Sequence, residues 1–107
     1  MNKICTSLEQ SQKLLELGID VNTADMFYTI IDQGLYLEVK QGIEPSKDDI
    51  PAWSLSALLE MMPITCVLSI SNGHYRIVSN ETNTFFHNNP LDAAFEMILK
   101  LYKLKML

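Results

Sequence analysis

Four side chains in the sequence are candidate metal ligands or nucleophiles, namely Cys5, Cys66, His74 and His87. A structural zinc site presents donors in pairs that are roughly two to four residues apart, because one local turn then offers two ligands together. None of the four residues has a partner at that spacing. A cysteine–histidine nucleophile needs the same convergence of thiol and imidazole. The sequence therefore predicts no metal site and no catalytic cysteine, and Cys66 in its apolar run is interpreted as a small core residue.

The carboxylates provide only one candidate for acid–base catalysis, because Asp48 and Asp49 are the only adjacent acidic pair in the sequence. General acid–base catalysis needs two carboxyl groups that converge across a pocket, and neighbours in a loop tend to diverge. Phosphate-binding glycine loops, HExxH and nucleophile-elbow motifs do not occur. Each of the four glycines has a plausible place in a turn or helix cap. We therefore predict no catalytic residue and no cofactor, and expect a protein that is not an enzyme.

Composition narrows the class of protein further. The chain has 107 residues, 48% of them hydrophobic, and its 13 acidic and 8 basic residues give a net charge of −5. Duplex-binding proteins neutralise phosphates with Lys and Arg, so a single arginine and this acidic balance disfavour nucleic-acid binding. The clearest apolar run, Ile64–Ile70, is far shorter than the roughly 18 residues of a membrane span. We expect one cytoplasmic domain over residues 1–107, because the N-terminus has no secretory apolar segment.

Three lysines, Lys100, Lys103 and Lys105, lie in the last eight residues. Cations near a helix C-terminus complement the helix dipole. That interpretation is favoured, and a basic docking tail is the alternative left open.

Three helices must position whatever site the chain has. Thr6 and Ser7 are both N-cap candidates, because Glu9 and Gln10 stand three residues after them as a capping box requires, and Gly18 suits a helix end, so the first helix is predicted over about 7–17. Ser54 and Pro63 bracket a second over about 54–62, with Trp53 as an anchor at its entry. Asn89-Pro90 begins the third over about 90–104.

Two hairpins complete the prediction of an antiparallel α+β domain with one sheet of four or five strands. Asn72-Gly73 favours a type I′ turn within 65–79 and pairs Ile70 with Tyr75 on the core face. Residues 26–39 form the other hairpin, with a three-residue loop that ends at Gly34. Residues 82–87 can add a fifth strand, and 41–51 are interpreted as a loop.

The first hairpin carries the candidate interaction surface. With the three-residue loop, one face is unusually apolar for a solvent-facing side, and its members are Met26, Tyr28, Ile30 and Tyr36. Helices on both sides of the sheet would bury this face, whereas helices on one side would leave it exposed as an interface. Both alternatives stay open, with burial favoured.

Three blocks of sequence carry a resemblance to a known group of proteins: residues 7–20 with 23–26, residues 50–63, and residues 89–98. The stretch Pro-Ala-Trp-Ser-Leu-Ser-Ala-Leu-Leu-Glu is the most distinctive. On these blocks the chain resembles a family of small uncharacterised proteins of gut Bacteroidetes and their prophages or mobile elements. The resemblance implies a bacterial or phage origin and a cytoplasmic location, and it brings no known activity.

The sequence thus favours a small non-catalytic domain that self-associates or docks on a protein partner. Two alternatives belong to other classes: a ligand-binding domain or enzyme with a pocket between sheet and helices, and an acidic phage-encoded inhibitor of a basic host protein.

Overall fold

A computed structural model describes residues 4–40 and 45–107. Its helices are α1 (Leu8–Glu16), α2 (Leu55–Glu60) and α3 (Pro90–Lys103). The strands of the described residues are β1 (Met26–Ile31), β2 (Gly34–Val39), β3 (Ile50–Ala52), β4 (Val67–Ser71) and β5 (His74–Val78). They form two antiparallel sheets, ordered β2–β1–β3 and β4–β5. The fold class is α+β, as the sequence predicts.

The start of α1 is fixed by a capping box. The Ser7 hydroxyl accepts the Gln10 N–H at 3.1 Å, and the Gln10 side chain accepts the Ser7 N–H at 3.0 Å. These reciprocal bonds satisfy two of the donors that the first turn of a helix leaves unpaired. The N-caps of α2 and α3 are Ser54 and Asn89. All three helix starts were therefore readable from capping residues alone.

The β4–β5 hairpin confirms the predicted register. Asn72 and Gly73 have φ values of +51° and +77°, as a type I′ turn requires. Ile70 pairs with Tyr75, and Leu68 pairs with Ile77. Ile77 is fully buried, but Ile70 is 64% exposed, so its predicted place in the core is wrong. A local turn signal and two agreeing apolar runs were enough to specify this pairing.

The two hairpins do not join into the single sheet that the sequence predicts. The β1 edge that could have accepted a strand of the second hairpin is occupied by β3, where Pro51 lies opposite Phe27. This strand overlaps the end of the predicted loop 41–51, and the sequence missed it because three residues with a proline give no strand signal. Residues 45–49 of that loop form no helix or strand, and residues 41–44 lie outside the described residues.

Residues 82–87 lie along the edge of β5 without forming a regular strand. Isolated bridges join Val78 to Asn83 and Tyr75 to His87. Between them the Thr84 hydroxyl accepts the Ile77 N–H at 3.0 Å, in place of a backbone carbonyl. This segment covers the edge of β5.

The main core lies between α3, α2 and β5. Trp53 is fully buried in it, and its Nε1–H donates to the Thr23 hydroxyl at 2.9 Å. Trp53 therefore anchors the entry of α2. The cluster's buried members are Leu14, Ala24, Trp53, Ala57, Leu58, Ile77, Leu91, Ala93, Ala94, Met97, Ile98 and Leu101.

Candidate interaction surface

The first hairpin turns with two residues, not three. Asp32 and Gln33 both take left-handed conformations, with φ of +49° and +67°, and Ile31 pairs with Gly34. The predicted three-residue loop that ends at Gly34 is therefore wrong. A Cβ at Gly34 would lie 2.9 Å from Cε2 of the half-exposed Tyr36 ring, so a side chain there would displace that ring. The sequence signal was weak because neither Asp-Gln nor Gln-Gly is a preferred type I′ pair.

The shorter turn places Tyr36 on the opposite face from the other three predicted surface residues. Tyr36 lies opposite Thr29, while Tyr28 lies opposite Leu37 and Ile30 opposite Leu35. A change of one residue in register exchanges the two faces of a strand. The face of Met26, Tyr28 and Ile30 is therefore completed by alternate residues of β2. These are Leu35, Leu37 and Val39.

The half of the hairpin far from the turn is covered by the rest of the chain. Met26 packs in a small second core with Cys5 and Ala52, and Tyr28 and Leu37 pack against it. The Tyr28 hydroxyl donates to the Thr6 carbonyl at 2.8 Å. Burial, and the neighbouring Cys5 thiol, raise the pKa of Tyr28 above its usual value. Met26 is therefore buried and Tyr28 partly buried.

Large apolar side chains are exposed on both faces of the hairpin, four of them near the turn and one, Val39, at the far end of β2. The exposed fractions are 70% for Ile30, 51% for Ile31, 46% for Leu35, 51% for Tyr36 and 53% for Val39. We call these five residues the distal hairpin patch. Single exposed apolar residues are ordinary, but a contiguous group on one projecting element is typical of an interaction site. Ile30 and Tyr36 therefore keep the exposed role that the sequence allowed.

The patch is bordered by the outer edge of β2, the outermost strand of its sheet. The Lys40 N–H donates to the Asp25 carbonyl at 3.1 Å. Since hydrogen-bonded pairs alternate along an antiparallel ladder, the even-numbered residues of β2 bond to β1. The odd-numbered residues Leu35, Leu37 and Val39 direct their N–H and C=O groups outward. No strand of residues 4–40 or 45–107 pairs with them.

A polar cluster that the sequence analysis missed joins the 82–87 segment to α3. Nε2 of His87 lies 2.6 Å from Glu96 Oε1, and the Lys100 ammonium lies 3.1 Å from Glu96 Oε2. Burial raises the pKa of Glu96, but hydrogen bonds from His87, Lys100 and the Phe85 N–H outweigh it and hold the pKa below its usual value. The i,i+4 spacing of Glu96 and Lys100 was visible in the sequence. The approach of His87 was not, because it depends on tertiary packing.

This cluster borders a cleft of about 450 Å³ whose lining includes Ser7, Asp92 and Glu96. Hydrolysis would need a nucleophile or activated water held against the imidazole. The Ser7 hydroxyl already accepts the Gln10 N–H at the helix cap, and His87 Nε2 is engaged by Glu96. The cluster's visible role is to hold a segment in place.

A larger cavity of about 580 Å³ lies beside β1 and the end of α1. Its walls include Leu15, Phe27 and Pro51, with Lys40 and Lys47 also lining it. Asp49, another lining residue, accepts the Ser46 N–H at 2.8 Å in a local turn. That bond, together with one from the Thr29 hydroxyl, lowers the pKa of Asp49.

The other candidates from the sequence do not come together. Across the part of the chain that the structure describes, no three His, Cys, Asp or Glu side chains are placed to bind a metal ion. Cys5 is buried beside Tyr28, and burial raises the pKa of the Cys66 thiol. His74 is exposed at the turn of the second hairpin. None of the described helices is long and apolar enough to span a bilayer.

No protein-family model matches the chain, and no curated protein or solved structure does. The resemblance to the Bacteroidetes family therefore stays a prediction. The distal hairpin patch, the outer edge of β2 and the two clefts are the surface features on which a function can be argued.

Proposed function

We propose that this chain is a small non-catalytic protein-interaction domain, cytoplasmic and bacterial or phage-encoded, that associates with protein through the distal hairpin patch. The single observation that supports the proposal is the exposure of five large apolar side chains on both faces of one projecting hairpin. Transferring apolar surface out of water is favourable by about 25 cal/mol per Å². A partner that covered this hairpin would bind with that favourable free energy, and the domain would not have to rearrange.

The hairpin is also preorganised for binding. Its turn is set by Asp32 and Gln33, and Tyr36 packs on Gly34. Its base is held in the second core through Met26. A rigid apolar element loses less conformational entropy on association than a mobile loop does.

The proposal is tested with two substitutions in the patch, Ile30→Lys and Leu35→Lys, and a control outside it, Ile64→Lys. Ile30 is 70% exposed, Leu35 is 46% exposed and Ile64 is 99% exposed, so none of the changes should disturb the core. We expect the native chain to associate with itself, by light scattering at micromolar concentrations, or to capture a discrete partner from a bacterial lysate. Ile30→Lys should abolish capture of another protein, Leu35→Lys should abolish self-association, and Ile64→Lys should retain both.

Capture that Ile30→Lys leaves unchanged, or self-association that Leu35→Lys leaves unchanged, would overturn the proposal, and so would a monomer that captures nothing. The ligand-binding alternative rests on the cavity of about 580 Å³ with its apolar walls and two lysines. This alternative predicts a monomer in solution, for the Ile30→Lys chain as for the native chain. An acidic inhibitor of a basic protein would show capture that salt abolishes and that Ile30→Lys does not affect.

A further inference from the structure

We infer that the partner of this hairpin is a second copy of the chain, and that the outer edges of two β2 strands pair antiparallel to form one continuous six-stranded sheet. The inference rests on the proposed function, since it assigns an occupant to the same hairpin. It commits to pairing of strand edges and to one register.

The first argument is that, within residues 4–40 and 45–107, no proline, bulge or covering segment protects the outer edge of β2, whose one charged residue is Glu38. Natural sheets protect their edges with proline, inward-pointing charge, bulges or a covering segment. β3 forms the opposite edge of the same sheet. The register directs the backbone nitrogen of Pro51 outward from β3, and a proline nitrogen has no hydrogen to donate to another strand. Residues 82–87 cover β5. β2 is six residues long, regular in register and free of proline.

The second argument is that the strand is complementary to itself. In this pairing Leu37 of one copy lies opposite Leu37 of the other. By symmetry, Leu35 of each copy then lies opposite Val39 of the other copy. The three residues whose backbone groups point outward are then all hydrogen-bonded between copies. Their side chains share one face, so Leu35, Leu37 and Val39 of both copies form a single apolar row.

Charge selects the same register. On the other face Tyr36 lies opposite Glu38 of the second copy, where the phenol can donate to the carboxylate. A shift by two residues in one direction would place the two Glu38 side chains directly opposite each other. A shift in the other direction would place Val39 opposite Gln33 in the turn. Only the register centred on Leu37 avoids both.

The outer edge of β4 fits a second copy less well. Ser71 and His74 flank its two-residue turn as a hydrogen-bonded pair, so only Leu68 and Ile70 direct backbone groups outward. Two outward residues give fewer intermolecular hydrogen bonds than three. The β2 edge is also continuous with the distal hairpin patch, whose residues Leu35 and Val39 would lose exposed surface on pairing.

The register is tested by disulfide trapping in a Cys66→Ser background, which leaves the buried Cys5 as the only native thiol. Paired residues in such a ladder have Cα atoms about 5.5 Å apart, inside the range of a disulfide. Leu35 of one copy lies roughly 13 Å along the strand from Leu35 of the other, outside that range. An equimolar mixture of Leu35→Cys and Val39→Cys chains should therefore oxidise to a mixed dimer, while neither chain alone should. Non-reducing electrophoresis and intact-mass analysis detect the product.

A second measurement does not depend on cysteine. Sedimentation of the native chain should give a dimer dissociation constant on the order of 10 µM, as expected for a small interface. Val39→Lys should weaken the dimer at least tenfold, whereas Val67→Lys on the exposed β4 should leave it unchanged. Val39 and Val67 are 53% and 61% exposed, so the pair is matched.

Three results would overturn the inference: a native chain that stays monomeric at about 200 µM, a dimer that Val39→Lys does not weaken, or equal trapping of the single and mixed cysteine chains. A monomer that still captures another protein through Ile30 would refute the second copy as occupant and leave the proposed function standing. A monomer without such capture would refute both.

Discussion

At the residue scale, the ends of α1 and α3 use the same hydrogen bonds with different residues at the critical position. The Ile19 N–H donates to Leu14 and closes α1, and the Met106 N–H donates to Leu101 and closes α3. Both patterns are Schellman motifs, which place the residue after the cap in the left-handed region. In α1 this residue is Gly18, with φ of +85°, whereas in α3 it is Lys105, with φ of +59°. A residue with a Cβ is strained there, because the Cβ approaches the following carbonyl oxygen.

Replacing that lysine should therefore stabilise the protein. We expect Lys105→Gly to raise the free energy of unfolding by about 1 kcal/mol, or the melting temperature by roughly 4 °C. The matched control is Gly18→Ala, where a Cβ would meet no atom within 4 Å. It should lower stability by a similar amount for the same conformational reason. A Lys105→Gly chain no more stable than the native one in thermal or urea unfolding would contradict this account.

At the element scale, residues 82–87 are held against β5 by backbone hydrogen bonds to Tyr75 and Ile77, and against α3 by side chains. Glu96 on α3 accepts the Phe85 N–H at 3.1 Å and meets His87 and Lys100. Arg76 and Lys100 also lie over the rings of Phe86 and Phe85, at 4.8 and 5.2 Å from the ring centroids. The contacts of this segment with α3 depend on the Glu96 carboxylate remaining ionised.

Acid should therefore loosen this segment. The folded pKa of Glu96 lies below that of an unfolded glutamate, so unfolding in acid takes up a proton at this site. The stabilisation is fully present above the unfolded value of about 4.3, and it is lost as the pH falls through the folded value. We expect the urea midpoint to fall more steeply below about pH 4.5 in the native chain than in Glu96→Gln.

The paired measurement separates Glu96 from the other carboxylates, since Asp49 also has a lowered pKa and is present in both chains. Equal slopes for native and Glu96→Gln chains would refute this role of Glu96. Hydrogen exchange at the Phe85 amide, followed across the same pH range, reports on the segment directly.

At the scale of the whole molecule, the described residues occupy 44 × 30 × 23 Å with a radius of gyration of 14.2 Å. A compact chain of this length has a radius near 13 Å. The molecule is therefore somewhat elongated, with one core around α3 and a second small one at the base of the first hairpin. An elongated small domain has much surface and little interior in which to bury apolar side chains.

Pairing of two copies would couple the stability of the domain to its concentration. A ligand that binds only the folded state raises stability by mass action, and here the ligand is another folded chain. We expect the melting temperature to rise by a few degrees over a roughly hundredfold range of protein concentration. The Val39→Lys chain should melt at one temperature throughout, and a native chain that does the same would argue against the dimer.

The sequence by itself determined the features that depend on neighbours along the chain. Ser7 and Gln10, Asn89 and Pro90, and the pair Asn72-Gly73 each fix a helix start or a turn through bonds that span a few residues. The second hairpin's register followed because its turn and its apolar pattern agree.

Tertiary structure alone decided the remaining features. The residues Asp32-Gln33 have no strong local preference for a two-residue turn. The shorter loop is accompanied by the packing of Tyr36 on Gly34 and by the second core at Met26, and it places Tyr36 on the other face. The separation into two sheets depends on β3, whose three residues gain strand geometry only by pairing with β1. The contact of His87 with Glu96 likewise depends on where α3 packs. These outcomes depend on contacts between distant segments, and local propensity carries no information about those contacts until the chain is packed.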